Sequence, residues 1–359
     1  MKKLLALLLS LAMALSLAAC GDSNTPAGSG SGSGSGEEPV NISGDLVICS
    51  SATDLDLEAI TEGFTALYPD VNIEIITCSA GEGVARVEAE GDNPTIDVFY
   101  SGLNQADGDK YAGIFENYVS SHDSELPEEY QSNNGFYNYD HLSSVVFCVN
   151  TDLEAELGIE INSYADLLNP ALNGKVIISD PTSSSAAWNN LSNIFAVYGN
   201  DSDEAWAQIE GMLQNGLIVV GSSSACFKSV QQGEYVVGLT YEDGAITLVK
   251  DGATNVAVRY PSNGTSATVF GCGLVKNGPN PENAKAMIDF ICSAEGQTAL
   301  AAAQQGTLRY TNAGYTAPEG AWLQSSDEIK WVDRDVEYLT ANKDAILEHW
   351  NNLLAEVQG

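Results

Sequence analysis

The sequence predicts an α/β protein in which helices cover the faces of sheets made largely of parallel strands. Between residues 45 and 100, short β-type runs alternate with stretches whose apolar residues have helical spacing. The same alternation starts again after residue 143, which indicates a second α/β unit. Most predicted strands are followed by turns rich in serine and glycine, as expected where strands lead into helices.

The N-terminal residues have the pattern of a secretory signal. Two lysines precede an apolar run over residues 4–17, and small residues then lead to Cys20. This run is shorter than the ~20 residues of a membrane span. The pattern resembles that of a bacterial lipoprotein, so we expect removal of residues 1–19 and lipidation of Cys20. An uncleaved anchor is the alternative, and either would hold the protein at the outer face of the cytoplasmic membrane, in an extracellular or periplasmic location. Residues 20–43, rich in glycine and serine, predict a flexible linker after the lipidated cysteine.

The composition predicts a folded and strongly acidic protein. Of the 359 residues, 44% are hydrophobic, which is enough for a sizeable core. The 49 acidic residues against 14 basic ones give a formal net charge of -35. This charge argues against nucleic acid as a partner, because binding to polynucleotide phosphates requires cations. It also argues against docking of the protein surface on anionic lipid, so the lipid anchor is the only membrane contact we expect.

The first predicted unit alternates strand, helix, strand, helix and strand. Its strands are predicted at residues 45–49, 71–77 and 96–100, and its helices at 57–67 and 83–90. Ligands of such folds collect at the carboxyl ends of parallel strands. The small residues that follow these strands are therefore candidates for a binding site.

The second unit has four predicted strands separated by helices, and further elements follow it. The strands are predicted at 145–149, 175–179, 217–220 and 235–240, and the helices at 163–168, 185–198, 202–214 and up to 232. The later elements are strands at 256–260 and 269–275, helices at 281–292 and 294–304, and a last helix whose apolar stripe is Leu339, Ile346, Trp350, Leu353 and Val357.

A serine-rich turn before a helix can have two roles. Its hydroxyl can cap the helix, which is worth ~1 kcal/mol, or its free N–H groups and hydroxyls can bind an anion at the positive end of the helix dipole. Several such turns in both units favour a shared site for a small anionic organic solute. The candidate residues are Ser50, Ser51, Ser79, Gly81, Gly102, Thr182, Ser183, Ser184, Ser185, Ser222, Ser223 and Ser224.

The turn Tyr241-Glu242-Asp243 adds a different chemistry to the predicted site. Carboxylates accept hydrogen bonds, so beside an anion site Glu242 and, less strongly, Asp243 are expected to bind hydroxyl or ammonium groups of the same solute. The alternative is an exposed acidic turn without a binding role.

No catalytic motif occurs in the chain: it lacks the nucleophile elbow, the zinc-protease motif and a complete phosphate loop. We therefore predict a protein that is not an enzyme, without cofactor or metal; an exported serine hydrolase is the alternative from another class. The three histidines lack metal-ligand spacing.

Six cysteines lie outside the signal region, and none forms a C-x-x-C pair. We predict that they are buried as small apolar residues. Oxidation of an exported protein is the alternative, with Cys49 and Cys78 as the first pair to examine. The six are Cys49, Cys78, Cys148, Cys226, Cys272 and Cys292.

An ordered set of segments carries a resemblance to a known family. The segments are residues 45–51, 79–82, 149–153, 180–184, 233–243 and 294–297. Together they resemble the iron(III)-type family of solute-binding proteins of ABC transporters. The resemblance covers roughly residues 44–359 and implies a type II periplasmic-binding-protein fold, with two lobes, hinge strands and an interlobe cleft that closes on a ligand. It implies a first lobe over 44–148, a second lobe over 149–256, and a return segment with C-terminal helices over 257–359 in the first lobe.

The resemblance also implies a partner and a ligand class. The partner is the membrane permease of an ABC importer, and we expect the binding protein itself to be a monomer. Ferric binders of the family carry a tyrosine pair where this chain has Glu242 and Asp243. Relatives with a Thr-Tyr-Glu-Asp turn look like binders of small organic phosphates or phosphonates, which is the ligand class we expect. A ferric or metal-chelate receptor that uses Tyr241, Glu242 and Asp243 is the alternative.

Overall fold

The computed structural model describes residues 42–320 and 322–358. The predicted signal sequence, Cys20 and residues 20–41 of the predicted linker lie outside the described residues. Within the described ranges, none of the helices combines the length and the apolar character that a membrane span requires.

Helices and strands alternate through the described chain, as the sequence predicts. The strands are β1 (Gly44–Ser50), β2 (Val71–Thr77), β3 (Val98–Asn104), β4 (Asn138–Asn150), β5 (Val176–Ser179), β6 (Ile218–Val220), β7 (Val237–Tyr241), β8 (Val256–Arg259), β9 (Ala267–Leu274) and β10 (Arg309–Tyr310). The helices are α1 (Asp54–Leu67), α2 (Ala80–Glu90), α3 (Thr151–Leu157), α4 (Ser185–Tyr198), α5 (Asp203–Gln214), α6 (Ala225–Gln231), α7 (Glu242–Lys250), α8 (Pro281–Cys292), α9 (Ala294–Ala303) and α10 (Val336–Gln358). The predicted helix at 163–168 is a 3-10 turn, Tyr164–Leu168.

The long strand β4 joins two halves of one sheet, in the order β2-β1-β3-β9-β4-β7-β5-β6. The first part of β4 pairs with β9 and β10, and its last part pairs with β7 and β8. The pairs β1–β2, β1–β3, β5–β6 and β5–β7 are parallel as predicted, whereas every pairing of β4 is antiparallel. Two sheet halves joined through β4 form the two-lobe α/β fold that the sequence predicts.

Each half has its own apolar core. In the first half, Ile60 and Phe64 of α1 pack with Met287 of α8 against β1 and β3. In the second half, Phe195 of α4 and Ile209 of α5 belong to a separate buried cluster. Each half of the sheet is therefore packed by its own buried residues.

The apolar stripe of the C-terminal helix α10 packs into the core of the second half, whereas the sequence suggested the first lobe for residues 257–359. Leu339, Ile346 and Trp350 on its apolar stripe are buried in the same cluster as Phe195. His349 stacks on Trp206 of α5, with ring centroids 3.9 Å apart. The apolar stripe packs here because α4 and α5 contribute apolar side chains to the same cluster.

The six cysteines of the described residues are free thiols. Five of them are buried, as predicted, and Cys78 is half-buried. Burial raises the pKa of Cys49 to about 12, and that of Cys226 to about 11. These thiols are therefore uncharged at neutral pH.

Candidate ligand-binding site

A cavity of about 580 Å³ lies where the two halves of the sheet meet. We call it the cleft cavity. Its walls come from the turn after β1, from the strands β3, β4 and β9, from the N-terminal parts of α4, α6 and α7, and from the segment around β10. The polar residues that line it are Ser51, Thr53, Asp56, Tyr100, Ser101, His141, Ser143, Ser185, Asn189, Ser223, Lys228, Tyr241, Asp243, Thr247, Gln304, Thr307 and Tyr310.

Six of the residues predicted from the sequence line the cleft cavity. They come from both halves, as a ligand held between two lobes requires, and they are Ser51, Gly102, Ser185, Ser223, Tyr241 and Asp243. Gly102 has φ of +82°, and a Cβ there would collide with Ser51. Glycine at this position therefore lets β3 approach the turn after β1.

The other predicted residues do not line the cavity; they are Ser50, Ser79, Gly81, Thr182, Ser183, Ser184, Ser222, Ser224 and Glu242. Two of the serines cap helices: Ser79 accepts from Glu82 N at the start of α2, and Ser184 accepts from Ala187 N at the start of α4. Ser50 is buried and donates its hydroxyl to Tyr100 O at 2.9 Å. In the structure, these serines form local hydrogen bonds, which is the alternative to anion binding for a serine-rich turn.

Two turns divide their residues between local bonds and the cavity. Thr182 donates to Asp180 Oδ1 at 2.7 Å, and Ser183 contacts Asp180 O, whereas Ser185 reaches the cavity. In the turn before α6, the hydroxyls of Ser222 and Ser224 lie 3.2 Å apart, and Ser223 between them lines the cavity. Adjacent serines thus have different partners, which sequence reasoning had no means to resolve.

Glu242 forms a buried ion pair instead of facing the cavity. Arg309 of β10 donates its Nε to both carboxylate oxygens of Glu242, at 2.9 and 3.0 Å, and Tyr260 donates its hydroxyl to the same carboxylate. Burial lowers the pKa of Arg309, but the carboxylate of Glu242 outweighs it and the pKa is raised overall. The pair connects α7, in the second half, to β10.

Asp243 faces the cavity from the N-terminal turn of α7. Its Oδ1 accepts from Ser143 Oγ on β4, at 2.7 Å. Burial raises the pKa of Asp243, although the hydrogen bond from Ser143 opposes the shift. The neighbouring Tyr241 has its pKa raised to about 12 by burial, so its phenol is a neutral donor at physiological pH.

Several cavity residues carry no sequence signal. His141 lies in the middle of β4, Lys228 is on an exposed face of α6, and Tyr310 belongs to a two-residue strand that the sequence did not predict. Each is an isolated residue without a motif, and their proximity comes from strand pairing over long sequence distances. Only the alternation of β4 could have suggested which side His141 faces.

Tyr310 lines the cleft cavity, and its hydroxyl is buried and has no hydrogen-bond partner among the described residues. Tyr310 is 6% exposed. Burial raises its pKa, so the hydroxyl keeps its proton. Leaving such a donor unpaired costs ~1–3 kcal/mol, and a bound ligand would remove that cost.

A larger cavity, of about 1000 Å³, opens on the other face of β9, where Ala267 and Val269 line it. None of the predicted ligand residues lies there. Its carboxylates would repel an anionic ligand, and they outnumber its two cations, Lys110 and Arg334. The carboxylates belong to Asp107, Asp109, Glu129, Asp333 and Glu337. We therefore take the cleft cavity as the candidate site.

Metal ligation has little support in the residues present. Within the described ranges, no group of three or more His, Cys, Asp or Glu side chains has the geometry to hold a metal ion. Glu242, one of the three oxygen ligands of the alternative metal prediction, is committed to Arg309. The cleft cavity therefore offers mainly hydroxyl and amide groups.

The sequence and the fold of the chain are similar to those of known proteins. It belongs to the family of bacterial extracellular solute-binding proteins, whose model matches residues 59–330. These are binding proteins and not enzymes, which confirms the sequence prediction. Membership also gives the protein a periplasmic or extracellular location.

Individual relatives and solved structures indicate which kind of solute-binding protein the chain is similar to. The chain is 29% identical over 250 residues to iron uptake protein A1 of Synechocystis sp., covering 64% of this chain and 66% of that protein. It is 25% identical over 238 residues to a probable ABC transporter periplasmic-binding protein of Sinorhizobium fredii, covering 64% and 65%. The periplasmic binding protein AfuA from Actinobacillus pleuropneumoniae, solved with fructose-6-phosphate bound, has a TM-score of 0.71 and 25% identity, over 87% of this chain and 99% of AfuA. The protein is thus the solute-binding component of an ABC importer, which works with permease subunits.

Proposed function

We propose that this protein is a lipid-anchored capture protein whose cleft cavity binds a small organic solute bearing a phosphate or phosphonate group. One observation carries the proposal: both halves direct uncharged donors into one cavity, with Ser51 from the first half and Ser185 and Ser223 from the second. Hydrogen bonds from such donors to a charged group contribute ~1.5–3 kcal/mol each. The volume of about 580 Å³ is in the usual range for small-molecule sites.

The helix that begins at Ser185 strengthens the case for an anion. Ser185 and Ala186, in the first turn of α4, line the cavity, so the positive end of a 14-residue helix faces the ligand space. Lys228 adds a cation that forms no ion pair within the described chain. These local charges act on a ligand inside the cleft, while salt screens the remaining negative surface beyond ~8 Å.

The same cavity also has groups that suit a polar tail on the solute. Asp243 accepts hydrogen bonds there, together with Thr247 and Asn189. Asp56 is less available, because Thr53 and Gln304 already donate to its two oxygens. Hydroxyl or amino groups of a phosphorylated compound fit these groups, and the bound fructose-6-phosphate of AfuA is an example of such a compound.

A screen by thermal unfolding tests the ligand class. We expect fructose 6-phosphate, or another organic phosphate or phosphonate of a panel, to stabilise the protein. A ligand at about 100 times its dissociation constant adds about 2.7 kcal/mol. Unphosphorylated fructose is the matched control and should have no effect.

The metal alternative has a specific observation in its favour, namely the relationship to an iron uptake protein. Ferric citrate therefore belongs in the same panel. Stabilisation by ferric citrate alone, with a stoichiometric metal in the purified protein, would replace our proposal by this alternative.

A further inference from the structure

His141 is held in a defined orientation in the wall of the cleft cavity. Its Nδ1 lies 2.9 Å from Asp140 Oδ2. Its ring stacks on Phe270 of the neighbouring strand β9, with centroids 5.2 Å apart and ring planes at 10°. Nε2 forms no hydrogen bond within the described residues, and the side chain lines the cavity. The ring therefore offers its Nε2 edge to a ligand.

The contact with Asp140 decides which ring nitrogen titrates. A carboxylate accepts, so Nδ1 keeps its proton in both charge states of the ring. The second proton must then come from Nε2. When His141 is protonated, Nε2 is a charge-assisted donor; when it is neutral, Nε2 presents a lone pair. Deprotonation thus converts a group that attracts an anion into one that repels its oxygens.

Charged and titratable groups from several elements act on His141. Burial lowers the pKa of His141, but the negative charges of Asp140, Asp56 and Asp243 outweigh burial and raise it overall. The groups that face this region from other elements are Asp56 of α1, Tyr100 of β3, Asp243 of α7, Lys228 of α6 and Tyr310 of β10. The carboxylates thus stabilise the charged imidazolium relative to the neutral ring.

Tyr310 lies directly opposite His141 in the pairing of β10 with β4. Residues opposite each other in such a pair point to the same face of the sheet, and both side chains line the cavity. The side chains of Tyr310, whose hydroxyl has no partner, and of His141, whose Nε2 is free, therefore lie on the same side of the sheet in the cavity wall. One acceptor group on a ligand can pair with both.

We propose that protonated His141 and Tyr310 together bind the anionic group of the solute, so that capture requires a proton on His141. This inference rests on the function proposed above and adds a proton linkage to it. Affinity is highest below the pKa of His141 and falls as the pH rises through it.

Calorimetric titration of wild-type protein with fructose 6-phosphate at about pH 6 and about pH 9 tests the linkage. We expect affinity to fall about 10-fold or more over this interval, which corresponds to the loss of one charged hydrogen bond. The phosphate itself gains negative charge near pH 6, a change that opposes the expected fall. A decrease with pH therefore has its origin in the protein.

The variant His141→Gln keeps a neutral donor but does not titrate. We expect it to bind about 10-fold or more weakly at pH 6 and to show no fall toward pH 9. His122→Gln is the matched control, since His122 pairs with Glu125 outside the cavity. Tyr310→Phe should weaken binding without lowering thermal stability, because it removes a hydroxyl that has no partner.

The outcomes separate the two proposals. If wild type binds the phosphate probe and His141→Gln retains the wild-type pH profile, the inference is wrong while the proposed function stands. If no organic phosphate or phosphonate binds the wild type at either pH, the proposed function fails and the inference fails with it.

Discussion

Arg309 and Glu242 form a buried ion pair that links the segment after α9 to the first turn of α7. Arg309 Nη2 lies 2.8 Å from Glu242 Oε1, and Glu242 is 1% exposed. Arg309 also donates to Gln324 O at 2.7 Å. Glu242, which the sequence suggested for ligand binding, is thus part of a structural ion pair. The carboxylate of this turn that lines the cavity belongs to its neighbour, Asp243.

Removing one partner of this pair should destabilise the protein strongly. Glu242→Gln leaves the guanidinium of Arg309 buried without a counter-charge, and we expect a loss of about 3–5 kcal/mol in the free energy of unfolding. Urea denaturation measures the loss. Glu234→Gln, at an exposed position, is the control and should change stability by less than about 0.5 kcal/mol. An equally small effect at Glu242 would show that the pair is unimportant for stability.

Neighbouring serines before α6 provide a sharp test of the cavity. Ser223→Ala should weaken binding of an organic phosphate by about 10-fold or more, because it removes a donor to a charged group. Ser222→Ala should leave binding unchanged, since Ser222 contacts Ser224 outside the cavity. Titration calorimetry on both variants measures the difference. Equal losses in both would place the ligand elsewhere.

The packing of α10 can be tested through Trp350. This side chain is 1% exposed in the core of the second half, and Trp350→Ala should cost about 3–5 kcal/mol of stability. Trp322 is 44% exposed, so Trp322→Ala is the matched control, with an expected change below about 0.5 kcal/mol. Similar unfolding curves for the two variants would contradict the placement of α10.

Asp243 should make stability depend on pH. Its pKa in the folded protein is raised by burial above the usual 3.8, so the folded state holds its proton more tightly than the unfolded state. This contribution is present in full below pH 3.8 and is lost as the pH rises through the raised pKa. Asp243→Asn should therefore stabilise the unliganded protein near neutral pH and have little effect in acid. Melting temperatures of both proteins in acid and near neutral pH measure this effect. Destabilisation by Asp243→Asn at neutral pH would contradict a raised pKa for Asp243.

The N-terminal prediction concerns Cys20. If Cys20 carries a lipid, the wild-type protein should partition into detergent and sediment with membranes, whereas Cys20→Ser should be released in soluble form. Phase partitioning of cell fractions compares the two. A wild-type protein that stays in the aqueous phase would exclude the anchor.

The sequence by itself determined the α/β class, most element positions and part of the site. Apolar periodicity depends on residues close together in the chain, so helices such as α1 and strands such as β2 could be predicted directly. The turns containing Ser51 and Ser223 could be recognised for the same reason, because serine before a helix is a local signal. Such signals could not distinguish the cap Ser184 from Ser185, which reaches the cavity.

Only the tertiary structure decided which distant residues share the cleft. Tyr310 meets His141, and Arg309 meets Glu242, through the pairing of β10 with β4 and the packing of α7 beside it. The same holds for α10, whose apolar stripe was visible in the sequence but whose partner was not. An apolar stripe or an isolated side chain indicates the kind of surface that it packs against. Which of several such surfaces it contacts depends on the packing of the whole chain.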